Sequence, residues 1–308
     1  MSHTIAVIIV SYNTAALLRA CLDSLRSSTL PLEVIVVDNG SHDGSPALVR
    51  EAFPEVRLIE AGHNAGFAGG NNLGLAAIGP DAHAVLLLNP DTVVHPGAIE
   101  AMAAFLEAHP RVGLVGPRLL NPDGTLQPAA FRFPTLLMAA LDFFPPGEVL
   151  PGRLYGSWWH GRYPQEGGDT PFPIDHPLGA CMLVRRSVLE QVGPFDAAYF
   201  MYSEEVEWCW RIRLAGWAIW QVPAARVTHV GGAATRQFRR RMLVELWRSR
   251  TRFAARRGPT FLAAHRAIVR AGALRLALCA WYGYYARGSC NRHELRERLL
   301  ACGEISRL

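Results

Sequence analysis

Lysine is absent from the chain: all 31 basic residues among its 308 are arginine. Arginine-only usage fits a G+C-rich genome and carries little about chemistry. Cysteine is sparse and scattered, at positions 21, 181, 209, 279, 290 and 302, with no C-x-x-C pair. That spacing argues against a zinc site or a disulfide frame and predicts reduced, mostly buried thiols of a cytosolic protein. The opening "MSHTIAVIIVSYN" lacks a basic n-region and a small-residue cleavage site, so no secretion signal is expected. Long apolar runs are missing too, and the uncharged stretch from Leu276 to Ala286 is too short to span a bilayer. The glycines of "HNAGFAGGNNLG" (63–74) miss the dinucleotide spacing, which argues against hydride transfer, although close backbone approach to a ligand stays open.

Half of the residues are apolar, enough for one large core or a core plus an appendage. Charge is divided unevenly along the chain. Residues 1 to 231 hold 14 Arg against 22 Asp and Glu, a net of −8, whereas residues 232 to 308 hold 17 Arg against 4 Glu, a net of +13. This predicts a neutral-to-acidic globular domain followed by a segment drawn to an anionic surface, lipid or nucleic acid.

In the first 115 residues, "TIAVIIV", "EVIVVD", "VRLIE", "AVLLL" and "VGLVG" alternate with helical patterns such as "TAALLRACLDSLRSS". Continuous apolar strands joined by amphipathic helices predict a parallel α/β sheet covered on both faces. Ser45 before Pro46 looks like a helix cap followed by a first-turn proline. Ser11, Asn13, Asp38, Asn39, Asn89 and Asp91 all fall at strand ends, the edge where open α/β sheets bind ligands. Each alone is as readily a turn former. Residues 132–177, rich in Pro, Gly and aromatics, read as a long functional loop or lid, with Tyr155, Trp158, Trp159 and Tyr163 suited to sugar stacking or to ordinary packing. The tail segment "RQFRRRMLVELWRSRTRFAARRG" sets nine Arg (236–257) against Met242, Leu243, Leu246, Trp247 and Phe253, a pattern for lying on a membrane surface.

In "LLLNPDTVV" (86–94), Asp91 at a strand exit can hold one hard divalent cation together with substrate phosphates. His229, before two glycines, adds a second ligand or serves as a structural histidine. Glu204, Glu205 and Glu207 open a helix, with Glu207 placed to pair with Arg211 at i+4. One of the adjacent pair Glu204 and Glu205 suits a general base, its pKa raised by its neighbour and by burial.

In order, "VSYN", "VVDNGSHDGS", "NAGFAGGNNLG", "LLLNPDT", "GACMLVRR", "FMYSEEVEWCWRIRLAGW" and "THVGG" resemble the family 2 glycosyltransferases, in particular the bacterial rhamnosyltransferase-type branch, over about residues 4 to 235. The resemblance implies an α/β GT-A fold, a Rossmann-like mixed, mainly parallel sheet with flanking helices. A basic helical segment follows it. The expected domains are 1–235, with 132–177 as an acceptor-side loop or lid, and an Arg-rich amphipathic tail at 236–308.

By the same resemblance, Ser11 and Asp38 would hold the nucleoside of a dTDP- or UDP-sugar, with Asn64, Gly66 and Asn71 near the nucleotide. Asn89 and Asp91 would form the metal motif, Asp91 and His229 would contact Mg²⁺ or Mn²⁺, and Glu205, with Glu204 beside it, would act as base. Two departures stand out: Asn89 replaces the first carboxylate of the metal motif, and Glu204-Glu205 replaces Glu-Asp. The implied activity is inverting transfer of a sugar such as rhamnose to a hydroxyl of a glycan or lipid-linked acceptor in cell-surface polysaccharide synthesis. The expected place is the cytoplasm, peripheral at the inner face of the membrane, with the tail on anionic lipid rather than nucleic acid; an oligomer contact is the other use of the tail. A nucleotidyltransferase and a non-catalytic sugar-binding domain are the alternative classes.

Overall fold

The protein was analysed as a computed structural model, which describes residues 4–144, 157–231, 239–288 and 291–308. Its strands are β1 (Thr4–Ser11), β2 (Leu32–Asp38), β3 (Arg57–Glu60), β4 (Ala82–Leu88), β5 (Thr92–Val94), β6 (Val112–Leu120), β7 (Leu126–Gln127), β8 (Ala130–Phe131), β9 (Phe172–Pro173), β10 (His176–Pro177), β11 (Cys181–Arg185) and β12 (Ala218–His229). The helices are α1 (Ala15–Leu25), α2 (Ser45–Ala52), α3 (Gly66–Leu75), α4 (Ala98–Ala108), α5 (Leu136–Phe143), α6 (Arg186–Val192), α7 (Glu204–Leu214), α8 (Arg239–Arg256), α9 (Pro259–Tyr285) and α10 (Arg292–Ile305). The chain forms two compact units, one of residues 1–132, 163–200 and 204–234, the other of 133–162, 201–203 and 235–308.

The first unit is built on a sheet of order β3-β2-β1-β4-β11-β6-β12-β5. Strands β1 to β4 run parallel, β11 is antiparallel to both its neighbours, and β12 returns parallel to β6. Ile5 to Ile9 are fully buried, as a central strand covered on both faces requires. Helix α1 buries Leu18, Cys21, Leu22 and Leu25, one stripe of the 3.6-residue period. The 63–74 glycines serve close packing: a Cβ at Gly70 would meet Val10 Cγ1 at 2.6 Å and one at Gly74 would meet Ile8 Cγ2 at 2.4 Å, so α3 lies directly on β1.

Two local expectations change in detail. Ser45 is the first residue of α2 rather than its cap; Asp43 Oδ1 accepts from Ser45 N (3.1 Å) and Ser45 Oγ (2.5 Å), taking the capping role two residues earlier. The 132–177 stretch is not structureless: Thr135 Oγ1 accepts from Met138 N and starts helix α5, and Glu166 is buried with its Oε1 accepting from Ala130 N (2.9 Å) and Ala129 N. Tyr155 lies outside the described residues, while Trp158 and Trp159 are exposed.

The second unit is helical, with Phe143, Val244, Trp247, Val269, Ala273, Ala301 and Ile305 in its core. Phe143 stacks on Trp247 at 3.9 Å, and only glycine fits at 272, where a Cβ would lie 2.0 Å from the Phe143 ring. Met242, Trp247 and Phe253 are buried. These three side chains of α8 therefore pack within the protein, while Leu243 is 37% exposed. Arginines also hold this unit together: Arg250 pairs with Asp142 (2.6 Å), Arg240 with Glu297 (3.2 Å) and Glu304, and Arg275 donates to Phe143 O (2.8 Å).

Candidate active site

Four parallel strand ends meet at one edge of the sheet. Ser11 pairs in register with Asp38, and both are buried. Asp38 Oδ2 accepts from Gly40 N (3.2 Å) and Ser41 N (3.0 Å), whereas buried Oδ1 has no hydrogen-bond partner. A buried carboxylate oxygen left unsatisfied is costly unless a ligand donor reaches it. Beside it, Asn39 bridges Asn64 Oδ1 (3.2 Å), Gly66 O (3.0 Å) and Ala65 N (3.1 Å). Asn64 Oδ1 also accepts from Gly66 N at 2.9 Å, bracing the turn into α3. Gly66 itself faces Phe200, whose carbonyl a Cβ would meet at 2.1 Å, and Asn71 is buried with its amide turned onto Phe67 O (2.9 Å).

After β4 the "NPD" turn delivers Asp91. Asn89 is anchored through its backbone, N donating to Ala180 O (2.9 Å) and O accepting from Thr92 Oγ1 (2.7 Å). The Cys21 thiol lies beneath this turn, pushed up to about 12 by burial and thus an inert packing group. Antiparallel pairing of β5 with β12 sets Thr92 opposite His229. The imidazole Nε2 then lies 3.4 Å from Asp91 Oδ1, and Gly231 N donates to Oδ2 at 3.1 Å. Burial would raise the Asp91 carboxyl, but the His229 imidazole and the Gly231 N–H outweigh it and hold the group below its ordinary value.

His229 Nδ1 contacts Gln127 Oε1 at 2.6 Å, and Gln127 Nε2 donates to the His229 carbonyl at 3.1 Å. His229 Nε2 and Asp91 Oδ1 face one another at 3.4 Å, so the carboxylate meets either a ring proton or, where the ring is protonated at Nδ1 alone, a cation held between the two atoms. One carboxylate and one imidazole fit a divalent ion that completes its shell from a substrate diphosphate. Among the described residues no group of three or more His, Cys, Asp or Glu is assembled as a fuller metal cage.

The acidic helix start divides into three roles. Glu207 is buried and bound to Arg211 Nε at 2.9 Å, the i+4 pair expected from sequence. Glu204 is buried, its Oε2 unpartnered, and its carboxyl is pushed well above the ordinary value by burial and by the charge of Glu205. Glu205 is half-buried beside Gly179, where a Cβ would stand 3.5 Å from Glu205 Cγ. Ala180, the next residue, holds Asn89, so Glu205 stands at the same edge as the "NPD" turn. Two successive non-glycine residues before α7, Tyr202 (φ +68°) and Ser203 (φ +61°), adopt left-handed backbone, strain of the kind kept at functional sites.

The structure thus gathers Ser11, Asp38, Asn64, Asn89, Asp91, Glu205 and His229 at one edge, while Asn71 and Gly66 serve helix packing there. Sequence reasoning missed Gln127, whose partner is 102 residues away, and Asn39 as the bridge to Asn64.

The mixed, mainly parallel sheet with Asp38 and Asp91 at its carboxyl edge has the architecture of the GT-A glycosyltransferases. The mannosyltransferase PcManGT from Pyrobaculum calidifontis, solved in complex with GDP-Man and Mn²⁺, shares this fold at TM-score 0.58 and 19% identity, over 98% of this chain and 86% of that one. By sequence the chain belongs to glycosyl transferase family 2, whose domain model matches residues 6–193. It is 35% identical over 240 residues to the N-acetylglucosaminyl-diphospho-decaprenol L-rhamnosyltransferase of Mycobacterium tuberculosis, covering 74% of this chain and 76% of the relative. The rhamnosyltransferase WbbL of Escherichia coli is 25% identical over 75% and 85% of the two chains. The GT-A fold and the family inferred from the motif order are both borne out, and nucleotidyl transfer and non-catalytic sugar binding fall away.

Proposed function

We propose that the enzyme moves a deoxyhexose such as rhamnose from a dTDP- or UDP-sugar to a hydroxyl of a lipid-linked glycan, with inversion, in cell-surface polysaccharide synthesis. The observation that carries this reading is the meeting of Asp91, His229 and Glu205 at the edge where Asp38 Oδ1 awaits a donor. Ser11 and Asp38 bind the nucleoside, with Asn64 bracing the loop beside them. Asp91 and His229 are the ligands for Mg²⁺ or Mn²⁺, which when bound would neutralise charge on the departing diphosphate. Burial and the neighbouring Glu205 favour the protonated form of Glu204, and Glu205 is the base of the adjacent pair. Glu205 takes the acceptor hydroxyl proton as that oxygen bonds to the anomeric carbon, and the nucleoside diphosphate departs with the electron pair.

The test is transfer of labelled rhamnose from dTDP-rhamnose to N-acetylglucosaminyl-diphospho-polyprenol. Turnover with a UDP- or GDP-sugar but none with dTDP-rhamnose would reject the donor; transfer only to a soluble glycan would reject the acceptor.

The helical unit supports attachment to an anionic lipid surface. No described helix is long and apolar enough to cross a membrane. On α9, Leu274, Leu278, Trp281, Tyr282 and Tyr285 form one face and are each between 53 and 65% exposed. Aromatic and leucine side chains beside cations are the chemistry of a membrane interface. A second copy would instead bring one +13 segment against another.

A further inference from the structure

The turn after β6 carries a chain of side-chain hydrogen bonds that has only one consistent direction. Residues 121–125, "NPDGT", fold tightly: Asn121 N donates to Thr125 O (2.8 Å) and Gly124 N to Asn121 O (2.9 Å), with Gly124 at φ +81°. Asp123 is ionised at neutral pH, its carboxyl lowered by the Thr125 hydroxyl and backbone N–H, and a carboxylate only accepts. Thr125 Oγ1, 2.6 Å away, therefore donates its single proton to Asp123. Towards Asn121, Thr125 Oγ1 is left as an acceptor. The Asn121 amide must present Nδ2 to it (2.9 Å) and turn Oδ1 the other way.

Asn121 Oδ1 then faces Gln127 Nε2 at 2.9 Å, and the other amide proton goes to the His229 carbonyl at 3.1 Å. Two acceptors on one side fix the amide orientation, so Oε1 is the Gln127 atom aimed at the ring. It accepts from His229 Nδ1 at 2.6 Å, and Nδ1 carries the proton.

We propose that Gln127 is a positioning residue: anchored through Asn121 and Thr125 on Asp123, it holds His229 in the Nδ1–H tautomer and presents the Nε2 lone pair beside Asp91 for a divalent cation. Without Gln127 the Asp91 carboxylate, 3.4 Å from Nε2, would draw the proton to that nitrogen and turn it from a ligand into a donor. The cation half of the proposal rests on Asp91 and His229 being ligands; the tautomer half does not. Groups that orient a ligating histidine are typically worth 10–100-fold in metal affinity.

The experiment uses the full chain with ¹⁵N-labelled histidine, with long-range ¹H–¹⁵N spectra recorded where the His229 ring is neutral and assigned by signal loss in His229→Asn. The wild type is expected to show the Nδ1–H pattern, Gln127→Glu to keep it because an acceptor still faces Nδ1, and Gln127→Leu to move towards Nε2–H. An Nε2–H pattern in the wild type, or an unchanged one in Gln127→Leu, overturns the proposal. Free Mn²⁺ is then followed by electron paramagnetic resonance with a nucleoside diphosphate present. Gln127→Leu should bind Mn²⁺ 10–100-fold more weakly with an unaltered circular-dichroism melt, and equal affinity also overturns the proposal. A wild type that takes up no Mn²⁺ removes the metal reading of Asp91 and His229, while the tautomer stands or falls by the spectrum.

Discussion

In the sheet unit, carboxyl groups are half-satisfied: Asp38 at the end of β2 keeps one bare oxygen, Glu204 at the start of α7 another, and Asp91 shares one oxygen with Gly231 N and turns the other to His229. In the helical unit, Arg240, Arg248, Arg250, Arg257, Arg266 and Arg275 are bonded to carboxylates or backbone carbonyls, and an apolar face of α9 stands exposed. Unsatisfied polar atoms in a buried edge are tolerable where a polar ligand completes them. An uncovered aromatic stripe is tolerable where an apolar surface completes it. The sheet edge and the α9 face thus differ in chemistry, and the expected occupants differ accordingly.

The largest effect expected comes from the sheet unit. Asp91→Ala should lower turnover by about 10³-fold or more, since charge neutralisation at a leaving group is worth several kcal/mol and each ~1.4 kcal/mol is tenfold. Glu205→Gln should cost on the order of 10²–10⁴-fold through loss of the base, with donor binding retained in a calorimetric titration. Near-normal turnover of Glu205→Gln with an inactive Glu204→Gln moves the base one residue back. Turnover that survives both EDTA and Asp91→Ala refutes the metal role and, with it, the idea that this edge is completed by a cation.

Stability against pH separates the units more finely. Burial drops His176 in the sheet unit and His265 in the helical unit to about 4. Below about 6.5 the unfolded chain takes up protons that the folded rings refuse, so stability falls with pH from there to about 4, by up to ~3 kcal/mol per ring. Glu204 acts in the other direction: its folded pKa is raised, so its contribution is full below the unfolded value of about 4.5 and is lost as pH rises through the folded one. Glu204→Gln should therefore raise the melting temperature at pH 7–8 relative to wild type more than at pH 4, and His265→Gln should flatten only the acid side. An alkaline side unchanged by Glu204→Gln would mean that this carboxyl is charged in the folded chain, and would return it to the list of bases.

Much of the sheet unit was legible in sequence because its signals are local. Apolar runs mark strands, and Glu207 and Arg211 meet one helical turn apart. What stayed hidden was long-range or ambiguous. Nothing near Gln127 announces a histidine on another strand, and Ser45 looked like a cap because Asp43, two residues back, offers the same oxygen. In the tail, the amphipathic period of α8 was correctly apolar on one side, but periodicity does not say what covers it. Trp247 lies against Phe143, not against lipid.

The smallest expected effect tests that last point. If α9 rather than α8 meets the membrane, Trp281→Ala, which removes a side chain 55% exposed, should weaken co-sedimentation with vesicles rich in anionic lipid by about tenfold, the ~1.4 kcal/mol expected for part of a large aromatic surface at ~25 cal/mol/Å². Leu243→Ala on α8, 37% exposed, should change it little. Arg270→Gln and Arg287→Gln should each remove about 1 kcal/mol, and their effect should shrink with salt while that of Trp281→Ala does not. Binding that responds to the arginines but not to Trp281 would make the attraction purely electrostatic, and the α9 face would then need another occupant. A dimer that dissociates in Trp281→Ala identifies that occupant as a second copy and rejects lipid.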